Sequence, residues 1–446
     1  MSAERPVDIL LRTVVETGLC TRCGTCVGAC PAGVLSIRDP MGDCLPEAGD
    51  GCTSCGLCLA ACPGAQLAFE PFERGLFGEA PSHELLGVVR SAWIAHAADP
   101  GVRRGGASGG VVTALLLDSL RRGETGGAAG FAPHEDELWR GWGRIARTED
   151  EIRAAAQSRY HLSPLNTVLA EAAVSERPLA YAGLPCQIHG LRRLERAGWR
   201  PRSPLRPVIG VYCGNNLYFS GTAAVMRKLG VKRIADVERI AYREGEWPGS
   251  FTVRTRDGRV RSVPKLHFNQ AIPFYVNRRC LFCIDLASEL ADLSVGDGWM
   301  KEGSGGGGWS VVLLRSEEGE RVFREALASN ALAAEEISIE DAARMHAHAF
   351  DLKKHGAFLR LGLWRRFGCA VPRYDRPAPR EPFGRRAAEL FVSAQFALAS
   401  SRPGRLLFAA LPLGATGRLF AALRSLWMRR ASRGADRGER PRSRGA

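Results

Sequence analysis

CTRCGTCVGACP at residues 20–31 returns, after a short gap, as CTSCGLCLAACP at 52–63. Each half reads C-x2-C-x2-C-x3-C-P, the spacing of a two-cluster 4Fe-4S site in which the fourth cysteine of each run crosses to the other cluster. This assigns Cys20, Cys23, Cys26 and Cys62 to one cluster, and Cys52, Cys55, Cys58 and Cys30 to its neighbour. Small residues in the short loops, Gly24 and Gly56, let backbone amides turn toward the sulfurs. Pro31 and Pro63 stop the chain from continuing as helix. A disulfide framework fits poorly, because nothing at the N-terminus resembles a signal peptide and dense C-x2-C spacing in a reducing compartment points to metal. Zinc takes four ligands from two paired C-x2-C units, fewer than these runs offer. Cys44 fits neither quartet and is read as a small buried thiol.

With 446 residues the chain is too long for one ordinary core, so a small cluster module, of the ferredoxin type, is expected to precede a larger domain. A hydrophobic content of 45% and a charged content of 24% are globular values. No uncharged apolar run reaches the length of about 18 residues that a membrane-spanning helix needs. The formal charge of +14 suggests nucleic acid until its location is read. From Arg385 onward, thirteen Arg face Glu389, Asp436 and Glu439, a surplus of ten that leaves about +4 for the body. The aromatic-interleaved basic face of a nucleic-acid binder is missing from that body.

After the cysteine runs, PFERGLFGEAPSHE (71–84) reads as linker. VVRSAWIAHA (88–97) is strand-like, and VRRGGASGGVVTALLLDSLRRG (102–123) passes from a glycine cluster into an apolar helix, with Ser108 expected as its N-cap. Such a turn aims backbone amides and a positive helix end at one point, which suits a pyrophosphate. PLAYAGLPCQIHGLRRL (178–194) gives a strand, a turn and a helix carrying Cys186, and PVIGVYCGNN (207–216) a strand ending at Cys213. Residues 236–263 alternate as strands around an Asp257-Gly258 hairpin turn. RRCLFCID (278–285) supplies a further C-x2-C pair, Cys280 and Cys283, which needs two more ligands to close a four-sulfur site. Cys186 and Cys213 each stand near a turn glycine. On ligand count alone a third cluster, a zinc site and two ordinary core thiols all stay open.

SGGVVTALL, GLPCQIHGLRR, YREGEWPG, RRCLFCID and ELADLSVGDGW, in this order, resemble the beta-subunit family of coenzyme F420 hydrogenase/dehydrogenase over roughly residues 85–350. The resemblance implies an FAD beside a 4Fe-4S cluster, with cluster cysteines at Cys186, Cys213, Cys280 and Cys283. It implies FAD phosphates cradled at Ser108, Gly109 and Gly110, and a flavin region lined also by Thr113, Ser158, Arg159, Tyr160, Asp297 and Trp299. The expected fold class is α+β: a ferredoxin-like domain with two 4Fe-4S clusters (1–70), a linker (71–84), a mixed α/β flavin and iron–sulfur domain (85–350) and a helical, basic tail (351–446).

What the resemblance implies is an oxidoreductase. Electrons from a ferredoxin or reductase pass through the clusters to FAD and on to an organic acceptor, coenzyme F420-like or another reducible small molecule. Related sequences reduce a deazaflavin or chlorophyll derivatives, so the substrate stays open. The rival is a non-catalytic electron-transfer subunit of a larger complex. His161, His189 and Tyr160 are candidates for a proton donor, against the ordinary reading of structural residues. In the tail, ELFVSAQFALA, LLFAALPLGATG and GRLFAALRSLW alternate with Arg402, Arg405, Arg418 and Arg424. These runs are too short to span a bilayer, and residues 389–430 are read as lying on an anionic membrane surface. The expected location is cytoplasmic, peripheral on the inner membrane face. An ordinary surface helix with a disordered tail, or a docking arm for an acidic electron-transfer protein, are the alternatives.

Overall fold

The computed structural model describes residues 4–133, 139–299, 306–414, 416–418, 420, 422 and 425. Its strands are β1 (Leu35–Ile37), β2 (Pro46–Ala48), β3 (Gln66–Leu67), β4 (Ser91–Ala97), β5 (Ala128–Pro133), β6 (Gly141–Ala146), β7 (Leu179–Gly183) and β8 (Leu205–Val211). They continue as β9 (Val237–Glu244), β10 (Ser250–Thr255), β11 (Val260–Pro264), β12 (Leu293–Asp297), β13 (Ser310–Leu314), β14 (Leu332–Ile337) and β15 (Arg373–Tyr374).

Eight of these form one sheet in the order β14-β4-β13-β12-β8-β7-β5-β6. The middle four, β12, β8, β7 and β5, run parallel, and the flanking pairs are antiparallel. Central strands such as SVVLL at 310–314 are apolar without alternation and wholly buried, as strands covered on both faces must be. Helices Val111–Arg121 and Glu317–Ala328 cover one face, packing Leu115, Val322 and Phe323 on the strands. Helix Pro185–Arg196 covers the other, and its Ile188 and Leu191 share a core with Ala29, Ala61 and Leu67 of the cysteine-rich module. A second sheet, β11-β10-β9, packs around Tyr242, Phe251 and Phe268.

The parallel register has one consequence for the site. The carboxyl ends of β7, β8 and β12 open at the same edge, so the residues that follow them, including Cys186, Cys213 and Trp299, gather there. Antiparallel β13 starts at that edge and β4 ends at it, since Ser310 pairs with both Asp297 and Ala95. The chain leaving β4 therefore delivers Ser108–Gly110 to the same place.

The hairpin at Asp257-Gly258 joins β10 to β11 as its alternation suggests. The segment 71–84 differs from a bare linker: Glu70–Phe77 is helical, with Phe72 and Glu73 buried, and Arg376 pairs with the Glu73 carboxylate. The tail also returns to the module, as β15 pairs in parallel with β3 and the Asp375 carboxylate accepts from the Phe69 and Glu70 amides at 2.8 and 2.9 Å.

Candidate functional site

In the cysteine-rich module, Gly24 and Gly56 sit at φ +83° and +79° immediately before the short helices Thr25–Gly28 and Leu57–Ala60. That left-handed step folds each C-x2-C loop back on itself at a position only glycine adopts without strain. Cys30, Cys52, Cys55 and Cys58 line one small cavity with Pro6, Val7 and Leu35, and Cys55 is exposed. Around Cys26, burial first and then the charges of Cys20, Cys23 and Cys62 push the thiol pKa well above its ordinary value. Cys58 of the other set also acts on Cys26, so the two groups of sulfurs are neighbours. Cys44 is buried and donates to Pro40 O.

Cys186, Cys213, Cys280 and Cys283 also come together: burial, Cys23 and then its three partners raise the Cys186 thiol pKa well above 9. Burial, with Cys280, Cys283 and Asp285 and against the charge of Lys353, pushes Cys213 up to about 12. Cys23 lies within electrostatic reach of Cys186, so the first set of the module borders the third. Between them runs a buried chain in which Tyr181 donates to Asn166 Oδ1 and Asn166 Nδ2 donates to Thr25 Oγ1 at 2.8 Å, and Thr25 Oγ1 stands 3.1 Å from Cys23 Sγ. The approach depends on Gly190, where a Cβ would meet Thr25 Oγ1 at 2.0 Å. Among the described residues no three His, Cys, Asp or Glu side chains converge on a single-ion position.

Beyond the third set lies the region expected to hold flavin. Ser108 is not the N-cap of helix Val111–Arg121; Gly110 is, at φ +71°, and Ser108 Oγ instead donates to Trp309 O. The turn's own amides are used internally, Gly109 N to Gly307 O at 3.0 Å and Gly110 N to Ser108 O at 2.8 Å. The helix-end donors left are those of Val111, Val112 and Thr113, which meet no acceptor among the described residues. Thr113 is buried on the first turn of this helix. Gly109 is pressed against the sheet, where a Cβ would meet Ser310 N at 2.9 Å and Ala95 O at 3.0 Å.

Asp297, closing β12, accepts two bonds from Arg243 Nη1 at 2.7 and 2.9 Å. Burial alone would raise this carboxyl, but Arg243 and Lys265 outweigh it and hold the pKa below 3.8. Trp299 packs edge-on against Trp247 with centroids 4.5 Å apart, and Lys265 lies over the Tyr160 ring. Gln157, at φ +79°, bends the loop that carries Ser158, Arg159 and Tyr160. Arg159 lies over Phe131 and donates to Ala156 O at 3.2 Å, without a carboxylate partner among the described residues. Arg243 Nη2 and Trp247 Nε1 are buried with no partner among the described residues. A turn at a helix N-terminus, an unpaired guanidinium, paired indoles and two orphaned donors fit a large aromatic ligand that carries phosphates. Arg243, Trp247 and Lys265 were not singled out from sequence; the first two sit inside the quoted YREGEWPG stretch, which was their available signal.

Of the candidate proton donors, His161 is fully buried, and burial followed by Arg159 lowers its pKa to about 3, so it is neutral and bonded to the Tyr242 hydroxyl at 3.0 Å. His189 is held by Asp285 at 2.8 Å and packs edge-on to Phe69. Both are structural in this arrangement. Tyr160 alone of the three borders the Arg243–Asp297 pair.

Comparison with known proteins gives matches along most of the chain. Residues 92–170 and 176–340 match the N-terminal and C-terminal parts of the coenzyme F420 hydrogenase/dehydrogenase beta subunit, and residues 19–67 a 4Fe-4S dicluster domain. A coenzyme F420-dependent sulfite reductase of Methanocaldococcus jannaschii is 26% identical over 70% of this chain and 46% of its own length. The coenzyme F420 hydrogenase subunit beta of Methanothermobacter thermautotrophicus is 29% identical over 54% of this chain and 83% of its own. The chain thus spans just under half of the first of these relatives and most of the second. A chain of the F420-reducing NiFe hydrogenase complex from Methanosarcina barkeri shares the fold, with a TM-score of 0.51 at 23% identity over 65% of this chain and 97% of that one. On these matches, the chain belongs to the coenzyme F420 hydrogenase/dehydrogenase beta-subunit family and carries a 4Fe-4S dicluster domain at its N-terminus.

Proposed function

We propose that the chain is an iron–sulfur flavoprotein oxidoreductase that takes electrons from a ferredoxin-type donor or reductase and reduces an organic acceptor of the coenzyme F420 class. The observation that carries this reading is that Cys23 of the module reaches Cys186, while Cys213, Ser108–Gly110 and Trp299 gather at one edge of the sheet. When bound, 4Fe-4S clusters supply one-electron transfer and FAD supplies conversion between single electrons and hydride.

Each residue then has a defined task. Cys20, Cys23, Cys26 and Cys62 would hold the inner cluster of the module, Cys30, Cys52, Cys55 and Cys58 the outer one, and Cys186, Cys213, Cys280 and Cys283 the third. The amides of Val111, Val112 and Thr113, with Arg159, would meet the FAD phosphates, while Ser108, Gly109 and Gly110 shape the turn. Asp297, fixed by Arg243, and Trp299, fixed by Trp247, would orient the ring system, with Ser158 and Tyr160 on the facing loop. Iron, sulfide and flavin contents of anaerobically purified protein test the assignment. Twelve irons and one FAD per chain support it; eight irons unchanged in Cys280→Ser remove the third cluster. Turnover of a deazaflavin with an artificial reductant then separates an enzyme from a relay subunit of a larger complex; several relatives are named as subunits.

A second reading concerns the tail. No helix among the described residues is long and apolar enough to cross a membrane. Helices Phe383–Ser400 and Arg402–Ala410 nevertheless expose Phe383, Phe391, Leu398 and Leu406 by 86, 72, 72 and 71%. On the first helix, Phe383, Leu390, Phe391 and Leu398 recur at seven- and eight-residue steps, one face. With the Arg surplus around it, this face supports attachment to an anionic bilayer surface. The opposite side is docked: Phe408 is buried against Phe274 and Tyr275, and Arg405 donates to Phe274 O at 3.0 Å. The last Arg residues of the proposed anchor lie outside the described residues. Sedimentation with anionic vesicles at low salt tests the attachment.

A further inference from the structure

Burying a cation in a protein interior is costly unless an anion answers it. Among the described residues, Arg192, Arg243, Lys354 and Arg360 are buried and each is paired with a carboxylate. Arg22, Arg279 and Arg315 are buried without one, but each spreads its guanidinium over two or more backbone carbonyls. Lys353 has neither kind of support. It is 2% exposed, on the π-helical segment Asp351–Gly356, and its Nζ has a single acceptor, Cys280 O at 3.1 Å. An ammonium carries three donors, so two are left over. Within electrostatic reach of Nζ are Cys283, Cys213 and Cys280, three of the four thiols of the third set, and Arg360 acts on it in the opposite sense; the buried Arg279 also reaches Cys280 and Cys283, but its own donors are spent on backbone carbonyls. No carboxylate contacts Lys353 among the described residues.

We propose that Lys353 is a fixed counter-charge of the third cluster, stabilising its one-electron-reduced form and setting its potential above that of the outer cluster at Cys30, Cys52, Cys55 and Cys58. This rests on the third-cluster reading given above. A cluster held by four thiolates is a net anion, and it becomes more negative on reduction, so a desolvated ammonium beside its sulfurs favours the reduced state. Among the described residues that line the cavity of the outer set there is no lysine or arginine, and Arg5, which acts on Cys52, is exposed. The resulting gradient favours electron movement from the exposed edge inward. Lys353 touches no expected ligand side chain by hydrogen bond, only the backbone carbonyl of Cys280, and the charge-keeping Lys353→Arg separates its charge from that contact.

The test is a redox titration of the anaerobic full chain, followed by electron paramagnetic resonance, for wild type, Lys353→Met and Lys353→Arg, with Cys280→Ser identifying the third signal by its loss. The midpoint of that signal is expected to move negative in Lys353→Met and to stay near wild type in Lys353→Arg, while the two module signals hold their values. Loss of four irons in Lys353→Met with retention in Lys353→Arg would likewise support a charge requirement. An unshifted third signal in Lys353→Met at full iron content overturns the proposal, as does an equal shift of all three signals. Loss of the cluster in both variants overturns it in favour of packing. A wild type with eight irons and no third signal defeats the cluster reading itself, and the counter-charge with it, a result distinct from the others.

Discussion

Removing the charge of Glu389 is expected to weaken the body of the protein as well as the tail. Glu389 lies on the helix Phe383–Ser400, and its carboxylate takes the Arg360 Nη1 bond on one oxygen and Arg385 Nη1, at 2.8 Å, on the other. Arg360 is almost wholly buried, and its remaining donors serve Leu281 O at 2.7 Å and Leu352 O at 2.6 Å. Leu281 stands between Cys280 and Cys283, so the ion pair ties the tail to the loop of the third cysteine set. Leaving one partner of a buried pair uncompensated costs about 3–5 kcal/mol. The amide of Glu389→Gln still accepts one bond and Arg385 keeps Asp351 at 3.0 Å, which places the expected loss at the low end, about 3 kcal/mol. Denaturant unfolding, followed by tryptophan fluorescence and circular dichroism, measures it. A cycle with Arg360→Met should return a coupling of about 2 kcal/mol, since the double variant no longer strands a charge. Truncation after Pro382 should therefore cost stability and irons of the third set, although every expected ligand lies upstream. A loss below about 1 kcal/mol in Glu389→Gln, with additive singles, would refute the reasoning.

Other outcomes can be stated more briefly. His161 is neutral when folded, with a pKa pushed down to about 3, against 6.5 when free. Its unfolded form binds the extra proton, so it makes stability fall as pH drops from about 6.5 toward 3; His161→Phe should flatten the pH dependence of unfolding free energy over that window. Asp297 runs by the depressed-carboxylate rule: its contribution is complete above the ordinary 3.8 and is lost as pH falls through its lower folded value, and Asp297→Asn should remove that acid limb. Gly190→Ala, whose Cβ would stand 2.0 Å from Thr25 Oγ1, should move the module off helix Pro185–Arg196 and slow electron passage between the inner and third clusters at unchanged iron content; stopped-flow reduction would show it, and an unchanged rate would count against the contact. Gly109→Val is expected to fail by unfolding at Ser310 and Ala95, so flavin retention is better probed with Arg159→Met, which should lower bound FAD severalfold at full iron content.

The two quartets of the module were readable because a C-x2-C-x2-C-x3-C run places its sulfurs through the geometry of a single loop and one short helix. Strands β4, β7 and β8 and the Asp257-Gly258 hairpin were likewise local patterns of apolar runs and turn residues. The third set needed more. Cys186, Cys213 and the Cys280–Cys283 pair are separated along the chain by whole strands and helices, and the parallel register of β7 and β8 is what opens the ends before Cys186 and Cys213 at one edge. Spacing does not encode that register, so composition alone left zinc and core thiols open. The same limit hid Ser108's bond to Trp309 O, the burial that neutralises His161, and the Arg243–Asp297 pair. It also hid the tail's double role. Its charge surplus and short apolar runs are properties of sequence, but the burial of Glu389 and Phe408 beside exposed Phe391 and Leu398 depends on which helix face meets the body. Ligand spacing is fixed by covalent geometry over a few residues, whereas charge compensation is fixed by which distant segments share a desolvated volume, and only the packed chain decides that.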